Sequence, residues 1–227
     1  MRSREHPLTS SLVLGIDEAG RGPVLGPLVV AAVALRPARA AALTRRGVSD
    51  SKSFGTGAVA REKRAALAAH VQRLADYAGV EEIAHAEVDR YTEKGQLNEL
   101  EREAARRLIA ACPRVKRIVA DGLHVFGPLR QQYDRLDVYD DGESAHVAVA
   151  AASIVAKDRR DALFAGIVAR YEPEFGELRG GGYANAATAE FLRRYYARYG
   201  VLPPETRRSW SWSVIAQLDG PQRRLFD

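Results

Sequence analysis

Asp17 and Glu18 stand side by side directly after the apolar run Leu12–Ile16. Asp121 closes a second strand-like segment, Val115–Ala120, and Asp140, Asp141 and Glu143 follow a third, Leu136–Tyr139. Acids at the ends of different strands can converge at one edge of a sheet. Brought together, their carboxylates repel one another, and divalent cations relieve that repulsion. Two Mg²⁺ or Mn²⁺ ions roughly 3.5–4 Å apart can hold the attacking water and the leaving oxygen of a phosphodiester. The same acids also read as solvated turn residues, and position alone leaves both readings open.

A second group could meet a phosphate or a sugar. Gly20-Arg21-Gly22-Pro23 follows the first acids; its glycines let backbone N–H groups approach a ligand closely, and Arg21 adds charge. A plain turn before the next strand would also use Gly and Pro. The spacing is not that of a dinucleotide-binding loop. Ser153 and Lys157 are four residues apart, so a helix would present both on one face. Tyr183, after the run Gly180–Gly182, reads by itself as a half-buried core aromatic.

Other chemistries are excluded. Cys112 is the only cysteine, so no internal disulfide and no cysteine-based zinc site can form. The five histidines show no HExxH spacing, and His124 and His146 read as structural or surface residues. Neither a Gly-x-Ser-x-Gly elbow nor a Walker loop is present, which argues against a serine hydrolase or an NTPase.

The elements that must position these residues follow from periodicity. Leu12–Ile16 and Leu28–Leu35 predict two strands joined by the Gly/Pro-rich turn, an antiparallel pair. Ala58–Asp76 has helical spacing and Tyr77–Ala84 reads as a weaker strand. In the helix expected over Gln96–Ala111, Leu97, Leu100, Ala104, Leu108 and Ala111 share a face. Val115–Ala120 and Leu136–Tyr139 are further strands. Ser144 is placed to cap a long helix from Ala145 to about Val168, whose alanines would let it pack closely on a sheet. A last amphipathic helix spans Thr188–Tyr199. The pattern is an α/β sheet with early antiparallel strands and helical cover.

Over 227 residues, 46% hydrophobic and 28% charged, the composition is that of a folded domain. The net charge is +5, and the segment Arg179–Asp227, with eight Arg, no Lys and four acids, carries +4 of it. Such a segment fits a polyanion. Arg193, Arg194, Arg198, Arg207 and Arg208 are its candidate phosphate contacts, against the reading of a merely solvated face; Trp210 and Trp212 read as packing anchors. The longest apolar stretch, Val24–Leu35, is short for a membrane span, and the N-terminal residues lack a secretory signal's apolar core. No membrane association and a cytoplasmic location are therefore expected.

Residues Gly15-Ile16-Asp17-Glu18-Ala19-Gly20-Arg21-Gly22-Pro23 closely resemble the opening signature of ribonuclease HII, the type 2 ribonuclease H family. Four more blocks agree in order: Asp50-Ser51-Lys52, Ala120-Asp121-Gly122, Ala151–Lys157, and Gly181-Gly182-Tyr183. Leu97–Glu101, Leu202-Pro203-Pro204 and Arg208-Ser209-Trp210 look closer to the archaeal and eukaryotic branch.

The resemblance implies a ribonuclease H-like fold: a mixed five-stranded sheet flanked by helices, with residues 1–170 as catalytic domain and 171–227 as a helical, substrate-binding C-terminal extension. It implies a metal-dependent endoribonuclease that hydrolyses the RNA strand of RNA–DNA hybrids. It also implies nicking on the 5′ side of ribonucleotides embedded in duplex DNA, leaving 3′-hydroxyl and 5′-phosphate ends, as in ribonucleotide excision repair. Asp17, Glu18 and Asp121 map onto three of the family's four metal-binding carboxylates, which take two Mg²⁺ or Mn²⁺ ions. The fourth departs: the usual Gly-Asp-Ser is here Gly142-Glu143-Ser144. Glu143 keeps the register and is one methylene longer, which points to an altered metal preference. By the same resemblance Gly20, Arg21 and Gly22 read the 2′-hydroxyl that separates RNA from DNA. Tyr183 bonds to that hydroxyl and stacks on the next sugar, and Lys52, Ser153 and Lys157 reach phosphates.

Two alternatives stand beside this reading. One is a nuclease of the same fold that needs several consecutive ribonucleotides; the other is an RNA–DNA-binding protein whose catalysis is weakened by Glu143. A monomer is expected. Gln222, Arg223, Arg224, Leu225 and Phe226 are similar to a truncated sliding-clamp peptide.

Overall fold

A computed structural model describes residues 11–48 and 57–219, apart from the side chains of Glu143 and Ala145. The described residues form one five-stranded sheet in the order β3-β2-β1-β4-β5. Its strands are β1 (Val13–Ala19), β2 (Leu28–Leu35), β3 (Tyr77–Ile83), β4 (Arg117–Asp121) and β5 (Leu136–Tyr139). β1 runs antiparallel to β2 and parallel to β4, and β4 runs parallel to β5, so the sheet is mixed. All eight residues of β2 are buried, which explains a continuous apolar run where a half-exposed strand would alternate.

The predicted helices appear as α2 (Ala58–Leu74), α4 (Leu97–Ala111), α7 (Val147–Phe175) and α8 (Ala186–Tyr199). Between and around them lie α1 (Pro37–Thr44), α3 (His85–Thr92), α5 (Leu123–Phe126), α6 (Gly142–Ala145) and α9 (Ser213–Asp219). The long helix was expected to start at Ala145 from a Ser144 cap. Instead α6 ends in an extended His146, and α7 begins at Val147.

The chain groups into two compact units. The first comprises the described residues of Met1–Ala19, Val29–Glu81 and Asn98–Arg159. Here α4 covers β3: the Tyr77 hydroxyl donates to the Leu108 carbonyl over 3.2 Å, and Arg107 pairs with Glu81 at 2.8 Å. The start of α7 lies directly on β1. A Cβ at Gly15 would fall 2.0 Å from the Ala148 carbonyl carbon, so only glycine admits this approach. Ala148, Ala150, Ala151 and Ala152 are fully buried, as the small-residue run foretold.

The second unit comprises the described residues of Gly20–Leu28, Glu82–Leu97 and Arg160–Asp227. Its core gathers Leu25, Phe164, Tyr171, Phe175, Phe191 and Leu192. Tyr171 and Phe191 lie with ring centroids 5.2 Å apart, and Phe175 meets Phe191 edge-on at 5.6 Å. Asn185 caps α8 by accepting from the Thr188 amide over 3.0 Å, and Gly200 closes it in a left-handed conformation. Trp210 and Trp212 pack against this core as anchors. Among the described residues no helix is long and apolar enough to cross a membrane.

Candidate active site

Parallel pairing sets Ile16 of β1 opposite Ala120 of β4, so one residue further on Asp17 and Asp121 are neighbours. Asp17 lies within β1 and is only 5% exposed. Burial pushes its carboxyl up to about 7, and the Asp121 charge pushes the same way. The Ser153 hydroxyl, the Glu18 amide at 2.8 Å and the Lys157 ammonium pull against that rise. The missing side chain at Gly15 lets α7 sit on β1, and six and ten residues after Val147 that helix delivers Ser153 and Lys157 to Asp17. Ser153 is fully buried.

Asp121 is fixed from the other side. The Gly142 amide donates to Asp121 Oδ1 over 2.9 Å, and a Cβ at Gly142 would stand 3.1 Å from Asp121 Cα and Cβ. Asp140 braces the same corner by accepting from the Leu123 amide at 2.9 Å; both Asp140 and Asp141 are exposed. Glu143 is the next residue along this tethered backbone, and its side chain lies outside the described residues. His146 Nδ1 accepts from the Ala148 amide, and burial holds its imidazole below the usual histidine range, in keeping with a structural role. His124 is exposed.

The structure thus brings Asp17, Asp121, Ser153 and Lys157 together. Glu18 follows Asp17 in β1, close to the end of the strand, and is partly buried. Among the described residues no group of three or more His, Cys, Asp or Glu side chains closes around a common point. Lys52 lies outside the described residues.

The remaining site residues belong to the second unit. Gly20 has φ +84°, and a Cβ there would meet the Pro27 carbonyl at 2.8 Å, so the turn requires glycine. The Val24 and Leu25 amides both donate to the Gly182 carbonyl, at 2.8 and 3.1 Å. This brings Tyr183 beside Gly22: a Cβ on Gly22 would stand 3.4 Å from Tyr183 Cε1. Tyr183 is 51% exposed, unlike the half-buried core aromatic that its type alone suggested.

Arg207 was expected among the phosphate contacts and is instead fully buried. Its guanidinium donates to the carbonyls of Gly20, Arg21 and Gly26 at 2.7, 3.0 and 2.9 Å. Arg194 donates to the Phe175 carbonyl, Arg198 pairs with Glu174 and Arg208 pairs with Asp219 at 3.4 Å, while Arg193 is exposed. Two bracing residues escaped the sequence reading. Arg160 donates to the Gly181 carbonyl at 2.6 Å, and Asp89 accepts from the Arg208 and Ser209 amides. Arg160 stands one turn after Lys157, which was the available hint; nothing around Asp89 signalled its role.

Residues 14–213 match the profile of the family described as Ribonuclease HII. The chain belongs to the ribonuclease HII family. It is therefore a type 2 ribonuclease H, an endoribonuclease of RNA–DNA hybrids. The Ribonuclease HII of Methanothermobacter thermautotrophicus is 35% identical over 207 residues, 88% of this chain and 96% of that relative. That of Pyrobaculum neutrophilum is 36% identical over 212 residues, covering 88% and 94%. These archaeal relatives agree with the branch that the sequence motifs favoured. Among solved structures, the ribonuclease H2 of Pyrococcus horikoshii superposes with a TM-score of 0.76 at 27% identity, covering 92% of this chain and 99% of that one. The RNase HII in complex with PCNA from Archaeoglobus fulgidus gives 0.73 at 27% identity, covering 94% and 98%. The mixed sheet is the ribonuclease H-like fold of these ribonuclease HII structures.

Proposed function

We propose that this ribonuclease HII cleaves on the 5′ side of ribonucleotides, including single ones embedded in duplex DNA, and that the reaction depends on Mg²⁺ or Mn²⁺. The observation that carries this reading is the Asp17–Asp121 pair, in which burial and the neighbouring charge hold Asp17 at about 7. A carboxyl in that condition is one that a dication would ionise. The donors are all oxygen, the set that hard divalent cations take.

Asp17, Glu18, Asp121 and Glu143 supply the carboxylates. When bound, the ions supply Lewis-acid stabilisation of the phosphodiester and a nucleophilic water. The chain's own residues do the rest. Ser153 and Lys157 favour the ionised form of Asp17 and, by resemblance to the family, extend toward phosphate together with Lys52. Gly142 orients Asp121 and fixes the backbone that carries Glu143. The turn of Gly20, Arg21 and Gly22, with Tyr183 beside it, senses the 2′-hydroxyl and the following sugar. The segment 171–227 serves as the duplex-contacting part, with exposed Arg193 and Arg208 as candidate phosphate contacts.

The PCNA-bound relative and the segment Gln222–Phe226, which lies outside the described residues, together support docking on a sliding clamp. The decisive experiment is a labelled duplex with one embedded ribonucleotide, incubated with Mg²⁺, Mn²⁺ or chelator. A metal-dependent nick 5′ of the ribonucleotide, with 3′-hydroxyl and 5′-phosphate ends, is expected. Cleavage confined to long hybrids would favour a requirement for consecutive ribonucleotides. Binding without cleavage in any metal would mark a catalytically weakened protein.

A further inference from the structure

Three successive carbonyls, those of Gly20, Arg21 and Gly22, are each held by a side chain from one short turn. Arg207 takes the first two, at 2.7 and 3.0 Å, and the Trp210 indole N–H takes the third at 3.1 Å. The guanidinium stacks on the Trp210 ring, 4.9 Å from its centroid, so the two donors brace each other. The turn is itself anchored to α3, where Asp89 accepts from the Arg208 amide at 2.8 Å, the Ser209 amide at 3.0 Å and the Ser209 hydroxyl. All these residues lie in the second unit.

A trans peptide points its C=O and N–H in opposite directions, and no cis peptide occurs among the described residues. Holding the Gly20 and Arg21 carbonyls on one side therefore fixes the Arg21 and Gly22 amides toward the other. A flexible glycine turn would otherwise sample many orientations of those amides. Resting on the reading that this turn senses the 2′-hydroxyl, we infer that Asp89, Arg207 and Trp210 are positioning residues that set selectivity for ribose over deoxyribose. Arg207 is the centre of the device: a planar fork addresses several acceptors at once in fixed directions, which an ammonium cannot do.

The test compares two duplexes identical except for one 2′-hydroxyl, with dissociation constants measured in chelator so that neither is cleaved. Wild type is expected to prefer the ribonucleotide duplex. Trp210→Phe keeps an aromatic ring and removes one N–H, so the preference should fall roughly threefold to tenfold, the worth of one hydrogen bond. Affinity for the all-DNA duplex should stay within about twofold. Asp89→Ala should act in the same direction, and Arg207→Lys more strongly if that variant folds.

Equal weakening toward both duplexes would show a merely structural role and overturn the inference. Unchanged preference in Trp210→Phe and Asp89→Ala, with preference lost in Gly22→Ala, would overturn it while leaving the sugar-sensing turn intact. A wild type without preference, or one whose preference survives Gly22→Ala, would remove the sugar-sensing reading and the inference with it.

Discussion

The amide of Gly142 donates to Asp121 Oδ1 over 2.9 Å, which ties the backbone next to Glu143 to the neighbour of Asp17. Glutamate at position 143 is therefore held by a fixed main chain and must absorb its extra methylene in its side chain or at the metal. Mg²⁺ demands near-ideal octahedral geometry. Glu143→Asp is expected to raise activity in Mg²⁺ relative to Mn²⁺ by roughly tenfold, about 1.4 kcal/mol of barrier. Parallel titrations of both ions with wild type and variant measure it, and superimposable profiles would count against the idea.

Asp17 ties stability to pH in the metal-free protein. Its folded carboxyl titrates near 7, against an ordinary value of 3.8. Between those values the folded state keeps a proton that the unfolded state has released, so stability falls as pH rises from about 4 to about 7. The loss is on the order of 4 kcal/mol. Asp17→Asn removes it, and the melting temperature in chelator should exceed wild type by about 8–16 °C at pH 8, with little difference below pH 4. Divalent ions should then stabilise wild type at pH 8 and leave the variant nearly unmoved.

Ser153 lowers the Asp17 pKa through its hydroxyl. Ser153→Ala should let that pKa climb further, so the acid limb of the pH–rate profile moves to higher pH by up to about one unit at limiting metal. An unmoved limb with unchanged rates would show that the hydroxyl does not act on Asp17 during turnover.

Gly15→Ala puts a methyl group where α7 already lies, 2.0 Å from backbone. The helix must withdraw, taking Ser153 and Lys157 away from Asp17. A stability loss of about 3 kcal/mol or more is expected from urea unfolding, because the colliding atoms are main chain. Residual activity in the folded fraction should also fall, since the helix carries two of the site's residues.

The sheet was legible because strand burial writes itself as apolar runs: Leu28–Leu35 was placed to the residue. The acids were legible as strand-end residues, but in the structure β1 continues through Asp17 and Glu18 to Ala19, since pairing with β2 persists beyond the apolar run. α1, α3 and α9 escaped because each is short, and α3 carries one buried residue, Val88, too few for a periodic signal. Arg207 was misjudged for a physical reason: arginine is almost always at the surface, and its burial here follows from carbonyls supplied by a turn far away in sequence. Hydrogen bonds between distant backbone and side chains have no local signature. The Gly15-x-Asp17 spacing did contain the contact with α7, visible only once the helix was in place.

β1 has hydrogen-bonded neighbours along both edges, β2 on one side and β4 on the other. Amides in such a strand exchange with solvent only when the whole domain opens, because no partial fraying exposes them. The doubly paired stretch Val13–Ile16, which leads directly into Asp17, is thus the last to melt. Warming should extinguish turnover and native structure together, with no intermediate in which the protein remains folded but its catalytic strand has come loose.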